Sequence, residues 1–325
     1  MKKEKKSPAV FIRGNRNTIV CYGSLILVIA LFTVLTEGKI LSLYNLKSLV
    51  GQMSTLMIIS VGMIFMFGHG TVDITSGAVG GLCTLAITVV LNKTEFVPAA
   101  ILAAIMISVL LYWFCWFVTA KFGLMSIISS LAVMFIARGL VTYLLSLNDG
   151  RINIQNYNLI APFKSNFLIP LGTMILIAIL GIILFNYTKL GKYVRAIGDN
   201  PLCAQQSGAN VTRIKFWCYT IAGICVGTGS IFLLARAGNV SKNIGSGLEM
   251  DVMVAVILGG MNLNGGARSR ISAAIAGTIT YALLSNGLTI AGVSQVYISL
   301  IKSLIFICII GMTLRQKKSI AEMPR

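Results

Sequence analysis

The sequence predicts an all-α polytopic membrane protein with about ten transmembrane helices, some of them short or broken. Hydrophobic residues make up 56% of the chain and charged residues 11%, whereas a soluble domain carries about a quarter charged residues. Apolar runs recur from end to end, most of them long enough to cross about 30 Å of hydrocarbon. The basic residues lie mainly between these runs and at the termini. Membrane orientation therefore accounts for the net charge of +18, and we expect no nucleic-acid partner.

The candidate spans follow one another along the whole chain. They are 18–36, 49–67, 76–92, 96–118, 124–146, 167–187, 214–236, 249–262, 271–288 and 294–314. Basic residues precede the first span as in a signal peptide, but TVLTEGKI contains no small-x-small cleavage site, so we expect this span to be retained. The third and eighth spans are short for a straight crossing and adjoin glycine-rich polar breaks, which predicts helices interrupted within the membrane.

The distribution of Lys and Arg predicts that both termini are cytoplasmic. With the N-terminus inside, 18 basic residues fall on inner segments and 7 on outer loops. Residues 1–17 and 315–325 are then basic cytoplasmic tails. Residues 18–314 form the transmembrane domain, and its loop 188–213 is cytoplasmic.

Within that loop, RAIGDNPLCAQQSGANVTRIK (195–215) predicts a short capped helix, residues 199–208. Asp199 or Asn200 can cap it, Pro201 suits its first position, and Gly208 can end it in a left-handed conformation. Ala204, a small residue inside it, is expected to let a partner surface approach closely. The residues alone leave two alternatives open: docking on another protein, or a helix lying in solvent or on anionic lipid.

Ionisable and polar residues at the breaks and within the spans are candidates for a solute path or gate. In GHGTVDITSGAVGG (68–81), His69 and Asp73 could form a proton-coupling pair. We favour Asp73 as the cap of span three, with His69 at the cytoplasmic interface. Arg138 and Lys302 lie within spans five and ten; Lys302 is expected to snorkel towards the interface, and Arg138 is left open.

A second glycine-rich stretch, GGMNLNGGARSR (259–270), ends span eight. Asn262 and Asn264 lie where the backbone can turn sharply and present carbonyl groups to a cavity. Alternatively, this is a plain loop whose Arg268 and Arg270 mark the inner side.

Nothing in the sequence indicates a catalytic, metal or cofactor site. The seven cysteines are scattered without a C-x-x-C pair, and there is one histidine. The stretch GGMNLNGGARS lacks the lysine and the spacing of a phosphate-binding loop. If ATP powers this protein, another polypeptide hydrolyses it.

Three stretches, GHGTVDITSGAVGG, RAIGDNPLCAQQSGANVTRIK and AVILGGMNLNGGARSRISAAIAG, resemble the permease subunits of bacterial ABC importers for ribose and related monosaccharides. Their order and spacing fit that family, as does the Arg138-Gly139 pair. Two residues of the first stretch, His69 and Thr71, depart from the family's G-G-I-D-L-S-V-G pattern.

The resemblance implies a multi-pass subunit of the bacterial cytoplasmic (inner) membrane. It implies pairing with an identical or related permease, two cytoplasmic ATPase subunits, and an extracytoplasmic solute-binding protein that delivers the sugar. The residues that match the family's ATPase-coupling element are Gly198, Asp199, Asn200, Pro201, Ala204, Ser207 and Gly208.

Three other functions compete with sugar import by an ABC permease, one of them within the same class. Relatives of that family carry nucleosides or signalling furanoses through similar scaffolds. An ion-coupled secondary transporter is disfavoured because carboxylates within the spans are scarce. A membrane-embedded enzyme is disfavoured because no nucleophile–base or metal constellation is visible.

Overall fold

The apolar runs fold into long helices at the predicted positions. The computed structural model describes residues 23, 25–148, 150–261, 265–304 and 307. In chain order the helices are α1 (Leu25–Leu35), α2 (Leu43–Gly68), α3 (Ser76–Thr94), α4 (Val97–Phe122), α5 (Ser126–Ser146), α6 (Ala161–Ser165), α7 (Leu168–Ile182), α8 (Lys189–Asp199), α9 (Pro201–Gln206), α10 (Val211–Ala237), α11 (Leu248–Leu258), α12 (Ile271–Ile290) and α13 (295–304). A π-helical segment, Ile183–Tyr187, continues α7, and 3-10 turns lie at Lys39–Leu41 and Tyr157–Leu159.

Seven of these helices are long and apolar enough to cross a membrane. They are α2, α3, α4, α5, α7 with its π-helical extension, α10 and α12. This confirms the predicted class, an all-α polytopic membrane protein. The predicted spans 18–36 and 294–314 extend beyond the described residues.

Helices α2 and α10 form the buried centre of the bundle, and α10 packs along both α2 and α4. Two glycines make the α10–α4 contact close. A Cβ atom at Gly223 would lie 2.9 Å from Cα of Val109, and one at Gly227 would lie 2.6 Å from Cα of Ile105. Helix backbones approach this closely only where side chains are absent. By contrast, α4, α5 and α7 expose most of their apolar residues, as helices do when they face lipid or a second subunit.

Helix α11 begins well inside the bundle. It has 11 residues, about 16 Å of helix, which is about half of the hydrocarbon thickness. Asp251, in its first turn, accepts a hydrogen bond from Tyr281, which lies about halfway along α12. The predicted interruption of span eight is therefore confirmed.

Helix α3 is longer than expected, and a small sheet lies near its far end. Its 19 residues are enough to cross a membrane, so the interruption expected for span three is confined to the non-helical residues 69–75 before it. Strand β1 (Arg151–Asn153) pairs antiparallel with β2 (Asn239–Ser241). The side chain of Asn92 donates to the carbonyl of Asn153 at 3.0 Å. The pair of strands thus attaches two predicted outer loops to α3.

Candidate functional site

The 188–213 loop contains two helices, α8 and α9, where the sequence predicts one over 199–208. Asp199 ends α8, so its expected role as a cap of the second helix is wrong. Asn200 is the N-cap: its side-chain oxygen accepts hydrogen bonds from the backbone N–H groups of Leu202 (3.0 Å) and Cys203 (3.2 Å). Pro201 occupies the first position, where its missing N–H costs no hydrogen bond.

The C-terminal end of α9 is closed by a Schellman motif. Gly208 has φ 84°, as predicted for a left-handed cap. The backbone N–H of Ala209 donates to the carbonyl of Ala204 at 3.1 Å, and that of Gly208 donates to the carbonyl of Gln205 at 3.0 Å. The Ser207 hydroxyl donates to the carbonyl of Cys203 at 2.9 Å. Helix α9 therefore has satisfied caps at both ends although it is only six residues long.

Leu202, which the sequence does not single out, is the large apolar side chain that α9 presents to solvent. It is 71% exposed, whereas Ala204 is 4% exposed. The expectation that Ala204 lets a partner approach closely does not fit this geometry, because Ala204 is buried within its own chain. The way α9 packs on the rest of the chain decides which of its faces is outward. The capping residues mark the ends of the helix but do not indicate this face.

Gly198 and Asp199 attach the end of α8 to two other segments. The backbone of Gly198 lies against that of Gly68, the last residue of α2, and that of Gly266, so any side chain at position 198 would overlap backbone atoms. The N–H of Gly266 donates to the carbonyl of Gly68 at 3.0 Å, and the Asp199 carboxylate accepts from the N–H of Ala267 at 3.0 Å. We call this three-way contact of residues 68, 198–199 and 265–267 the glycine junction.

Arg195 strengthens the same contact from within α8. Its Nε donates to the carbonyl of Ser269 at 3.2 Å and its Nη2 to the side-chain oxygen of Asn186 at 2.6 Å. Its guanidinium lies 4.6 Å from the ring centre of Phe185. Partial burial, and to a lesser extent the charge of Arg270, lower the pKa of Arg195.

Asp73 belongs to a buried network and does not cap α3. Its carboxylate accepts hydrogen bonds from the hydroxyl of Thr75, at 2.8 and 3.0 Å, and from the hydroxyl of Tyr112 in α4, at 3.0 Å. Thr75, not Asp73, is the N-cap residue of α3, and the Thr75 side chain makes no capping hydrogen bond to the first turn. The predicted capping role is therefore wrong. Asp73 instead ties the break between α2 and α3 to α4.

His69 is buried, in contrast to the interfacial position expected for it. Its Nδ1 lies 2.6 Å from the hydroxyl of Thr71, and its ring centre lies 6.4 Å from that of Tyr219 in α10. Its Nε2 has no hydrogen-bond partner among the described residues. The two residues that depart from the ABC permease pattern, His69 and Thr71, thus bond to each other inside the bundle.

Arg138 holds the turn that precedes α11. Its guanidinium donates to the carbonyls of Ile244 (2.8 Å) and Gly245 (3.1 Å), and its Nη2 lies 3.8 Å from the Glu249 carboxylate. Gly77, in the first turn of α3, packs directly against Gly245 and Glu249. The ion pair of Arg138 and Glu249 therefore joins α5 to α11 beside the start of α3.

Lys302 also has a partner at depth. Its ammonium lies 3.8 Å from the Asp251 carboxylate and 4.5 Å from the ring centre of Tyr281. The expectation that Lys302 snorkels to the interface is therefore wrong. An acid in the first turn of the short helix α11 lies within its reach, and pairing removes the need to extend to the membrane surface.

Replacing Gly77 with alanine is expected to destabilise the protein, because a methyl group there would overlap the Glu249 carboxylate and the Gly245 carbonyl. Overpacking of this kind typically costs about 1–3 kcal/mol. The thermal midpoint of the detergent-purified protein should fall. Gly80→Ala is the matched control, since its nearest contacts, at 3.9 and 4.0 Å, are ordinary. Equal midpoints for the two variants would contradict the packing described here.

The predicted site residues fall into two groups. Gly198, Asp199, Asn200, Pro201, Ala204, Ser207 and Gly208 form one continuous element at the glycine junction, whereas His69, Asp73 and Arg138 lie among the transmembrane helices. Asn262 and Asn264 lie outside the described residues. Sequence reasoning missed Glu249, although an acid at the start of one span and an arginine within another are a signal that the two could pair.

The amino-acid sequence matches one protein family and is similar to several bacterial permeases. The family described as branched-chain amino acid transport system, permease component, matches residues 45–310. The chain is 27% identical to the ribose import permease protein of Escherichia coli (strain K12), over 87% of this chain and 89% of that protein. It is 29% identical to the ribose import permease protein of Bacillus subtilis (strain 168), over 85% of each. It is 28% identical to the L-arabinose transport system permease protein of Escherichia coli (strain K12), over 88% of each.

Proposed function

Because the chain belongs to the family of branched-chain amino acid transport system permease components, we propose that it is the transmembrane subunit of an ATP-driven importer for a monosaccharide. The similar proteins from Escherichia coli and Bacillus subtilis are named for ribose and L-arabinose. The chain is a multi-pass protein of the bacterial inner membrane. In this proposal a separate cytoplasmic ATPase supplies the energy, a solute-binding protein delivers the sugar outside, and a second permease subunit completes the pathway.

The exposed, doubly capped helix α9 is the observation that carries the coupling part of the proposal. A partner that presses on Leu202 meets a rigid element, because both ends of α9 are hydrogen-bonded within residues 200–209. Directly before it, Gly198 and Asp199 contact the end of α2 and the segment before α12. A displacement of α9 would therefore reach the transmembrane helices through the backbone contact of Gly198 and the short Asp199 side chain.

The break at 69–75 lies directly beyond this junction. It follows Gly68, and Asp73 connects it to α4 through Tyr112. We propose that a shift of the α2 end changes this connection and thereby opens or closes the solute path. His69 and Asp73 are buried and Arg138 is half-buried, and all three make hydrogen bonds, so in this proposal their part in gating is to hold helices in position.

Reconstitution tests this function against its rivals. The permease would be placed in proteoliposomes with its proposed ATPase and solute-binding protein, and the uptake of labelled ribose, L-arabinose, a nucleoside and leucine would be compared. Uptake of a monosaccharide that requires ATP and the binding protein is the expected result. Uptake driven by a proton or sodium gradient without the ATPase would refute the proposal. Preferred uptake of leucine would refute the part of it that names a monosaccharide as the solute.

Single cysteines should show that α9 and both termini are cytoplasmic. In a background without the other cysteines, we expect an impermeant thiol reagent added to intact cells to label Asn153→Cys in the exposed strand β1. It should not label Ser7→Cys or Ser319→Cys. A variant that retains only the native Cys203 serves as the cytoplasmic control, since this is the exposed cysteine among those described, and it should react only after permeabilisation. Labelling of Cys203 in intact cells would invert the topology and exclude coupling through α9.

A further inference from the structure

A cavity of about 500 Å³ lies beside α8, at the same end of the bundle as α9. Its wall combines the end of α7 and its extension, one side of α8 and the start of α12. The residues that matter for its chemistry are Asn186, Arg195, Ser269, Arg270, Ile271 and Ser272. Two are arginines, and none of the wall residues is acidic, so the cavity favours an anion.

One of the arginines is held in place. Arg195 is fixed by its hydrogen bonds to Asn186 and to the carbonyl of Ser269, and by its contact with the ring of Phe185. A guanidinium that is already positioned loses little freedom when it binds an oxyanion. Arg270, on the opposite element, supplies a second guanidinium to the same wall.

The start of α12 adds two further features that suit an anion. Arg270 is its N-cap residue, and the first two residues of the helix, Ile271 and Ser272, line the cavity. Helix N-termini attract phosphate groups because their backbone N–H groups point outward. Independently, Ser269 on the same wall is only 2% exposed, and its hydroxyl has no partner among the described residues. A buried hydroxyl without a partner is destabilising unless a ligand satisfies it.

We propose that this cavity binds a phosphate monoester, with Arg195 and Arg270 on its charge and the start of α12 and Ser269 on its oxygens. Bound there, the phosphate bridges α8 to α12 and reinforces the glycine junction from its open side. The chemistry is common to two sources: a soluble sugar phosphate in the cytoplasm, and the headgroup of phosphatidic acid in the adjoining leaflet.

The soluble source is tested with glycerol 3-phosphate on the full-length permease in detergent. We expect it to raise the thermal midpoint and to bind in a titration, whereas glycerol does neither. Arg195→Gln and Arg270→Gln should each weaken binding about tenfold or more, since each removes charge-assisted hydrogen bonds to the phosphate. Arg268→Gln, in the same loop but off the cavity wall, is the charge control and should bind like the parent.

Ser269→Ala separates a ligand contact from a folding contact. Without ligand, this variant should melt at or above the parent's midpoint, because it removes an unsatisfied buried hydroxyl. It should nevertheless bind glycerol 3-phosphate more weakly. Ser60→Ala removes another partnerless hydroxyl away from the cavity and should leave binding unchanged.

The lipid source is tested in nanodiscs of phosphatidylcholine with and without phosphatidic acid. Stabilisation by phosphatidic acid that Arg270→Gln abolishes, without an effect of glycerol 3-phosphate, assigns the cavity to the lipid headgroup. Stabilisation by glycerol 3-phosphate alone assigns it to a soluble phosphate. If neither stabilises the parent more than Arg270→Gln, the proposal is overturned.

Discussion

Replacing Leu202 with aspartate is expected to abolish co-purification of the permease with its ATPase and, with it, transport. Leu202 is the large exposed apolar side chain of α9, and burying a leucine side chain against a partner contributes about 1.5–3 kcal/mol. A carboxylate there would be desolvated without a partner, and we expect at least about a tenfold loss of affinity. The measurement is the amount of ATPase retained on the tagged permease.

Two further variants make this prediction specific. Leu202→Met conserves volume and should retain the ATPase. Because Leu202 is exposed, both variants should reach the membrane at the parent's level. Ala204→Trp cannot serve this purpose, since Ala204 is buried in its own chain and a large side chain would disturb folding as well as docking. If the permease with Leu202→Asp retains as much ATPase as the parent, α9 is not the docking element.

Replacing Gly198 with valine is expected to uncouple ATP hydrolysis from transport. A side chain at this position overlaps backbone atoms of Gly68 and Gly266, which cannot rotate away, so the glycine junction must open. Helix α9 and its Leu202 remain intact, so the ATPase should still bind. We expect ATP hydrolysis to persist while sugar uptake in proteoliposomes falls by more than about tenfold, because positioning errors of about 1 Å are costly in coupled machinery.

Asp199 provides a graded test of the same junction without steric overlap. Asp199→Asn keeps a side-chain oxygen that can accept from the N–H of Ala267, and it should transport nearly like the parent. Asp199→Ala removes that acceptor, worth about 1 kcal/mol, and should reduce uptake per ATP hydrolysed. Near-parental coupling in both Gly198→Val and Asp199→Ala would show that force does not pass through this contact.

Gly208 isolates the contribution of the helix cap. Among the described residues, no atom lies within 4 Å of a Cβ atom at this position, so Gly208→Val introduces there only the strain of its left-handed backbone, about 1–2 kcal/mol. We therefore expect a smaller loss of ATPase binding than with Leu202→Asp. An effect as large would indicate that the cap itself contacts the partner.

Features that depend on neighbouring residues could be predicted from the sequence. The spans are visible because a membrane requires long apolar runs, and Pro201 and Gly208 mark the ends of α9 because each suits one backbone conformation. Features that depend on distant residues could not. The hydrogen bond from the N–H of Ala267 to Asp199 and the pairing of Arg138 with Glu249 form only when segments distant in the sequence pack together.

The orientation of helix α9 also could not be predicted from the sequence. A six-residue helix in a loop has no long apolar stripe, so its inward face could not be assigned, and Ala204 was expected to face outward in place of Leu202. For Asp73, proximity to the start of α3 suggested a cap, but the hydroxyl groups of Thr75 and Tyr112 compete for the same carboxylate. Hydrogen bonds formed on folding, and not the local capping preference of Asp, therefore determine the role of Asp73.

The hydrogen-bonded ends of α9 also affect how tightly this six-residue helix could bind the proposed partner. Ordering a flexible loop costs about 1–2 kcal/mol per residue in backbone entropy, a loss that an incoming subunit would otherwise have to overcome. In this chain residues 200–209 are already ordered by their own hydrogen bonds, so docking of the proposed partner would not have to pay this ordering cost. If α9 is the docking element that we propose, this preorganisation would favour an interface smaller than the usual 1,600 Å² or so.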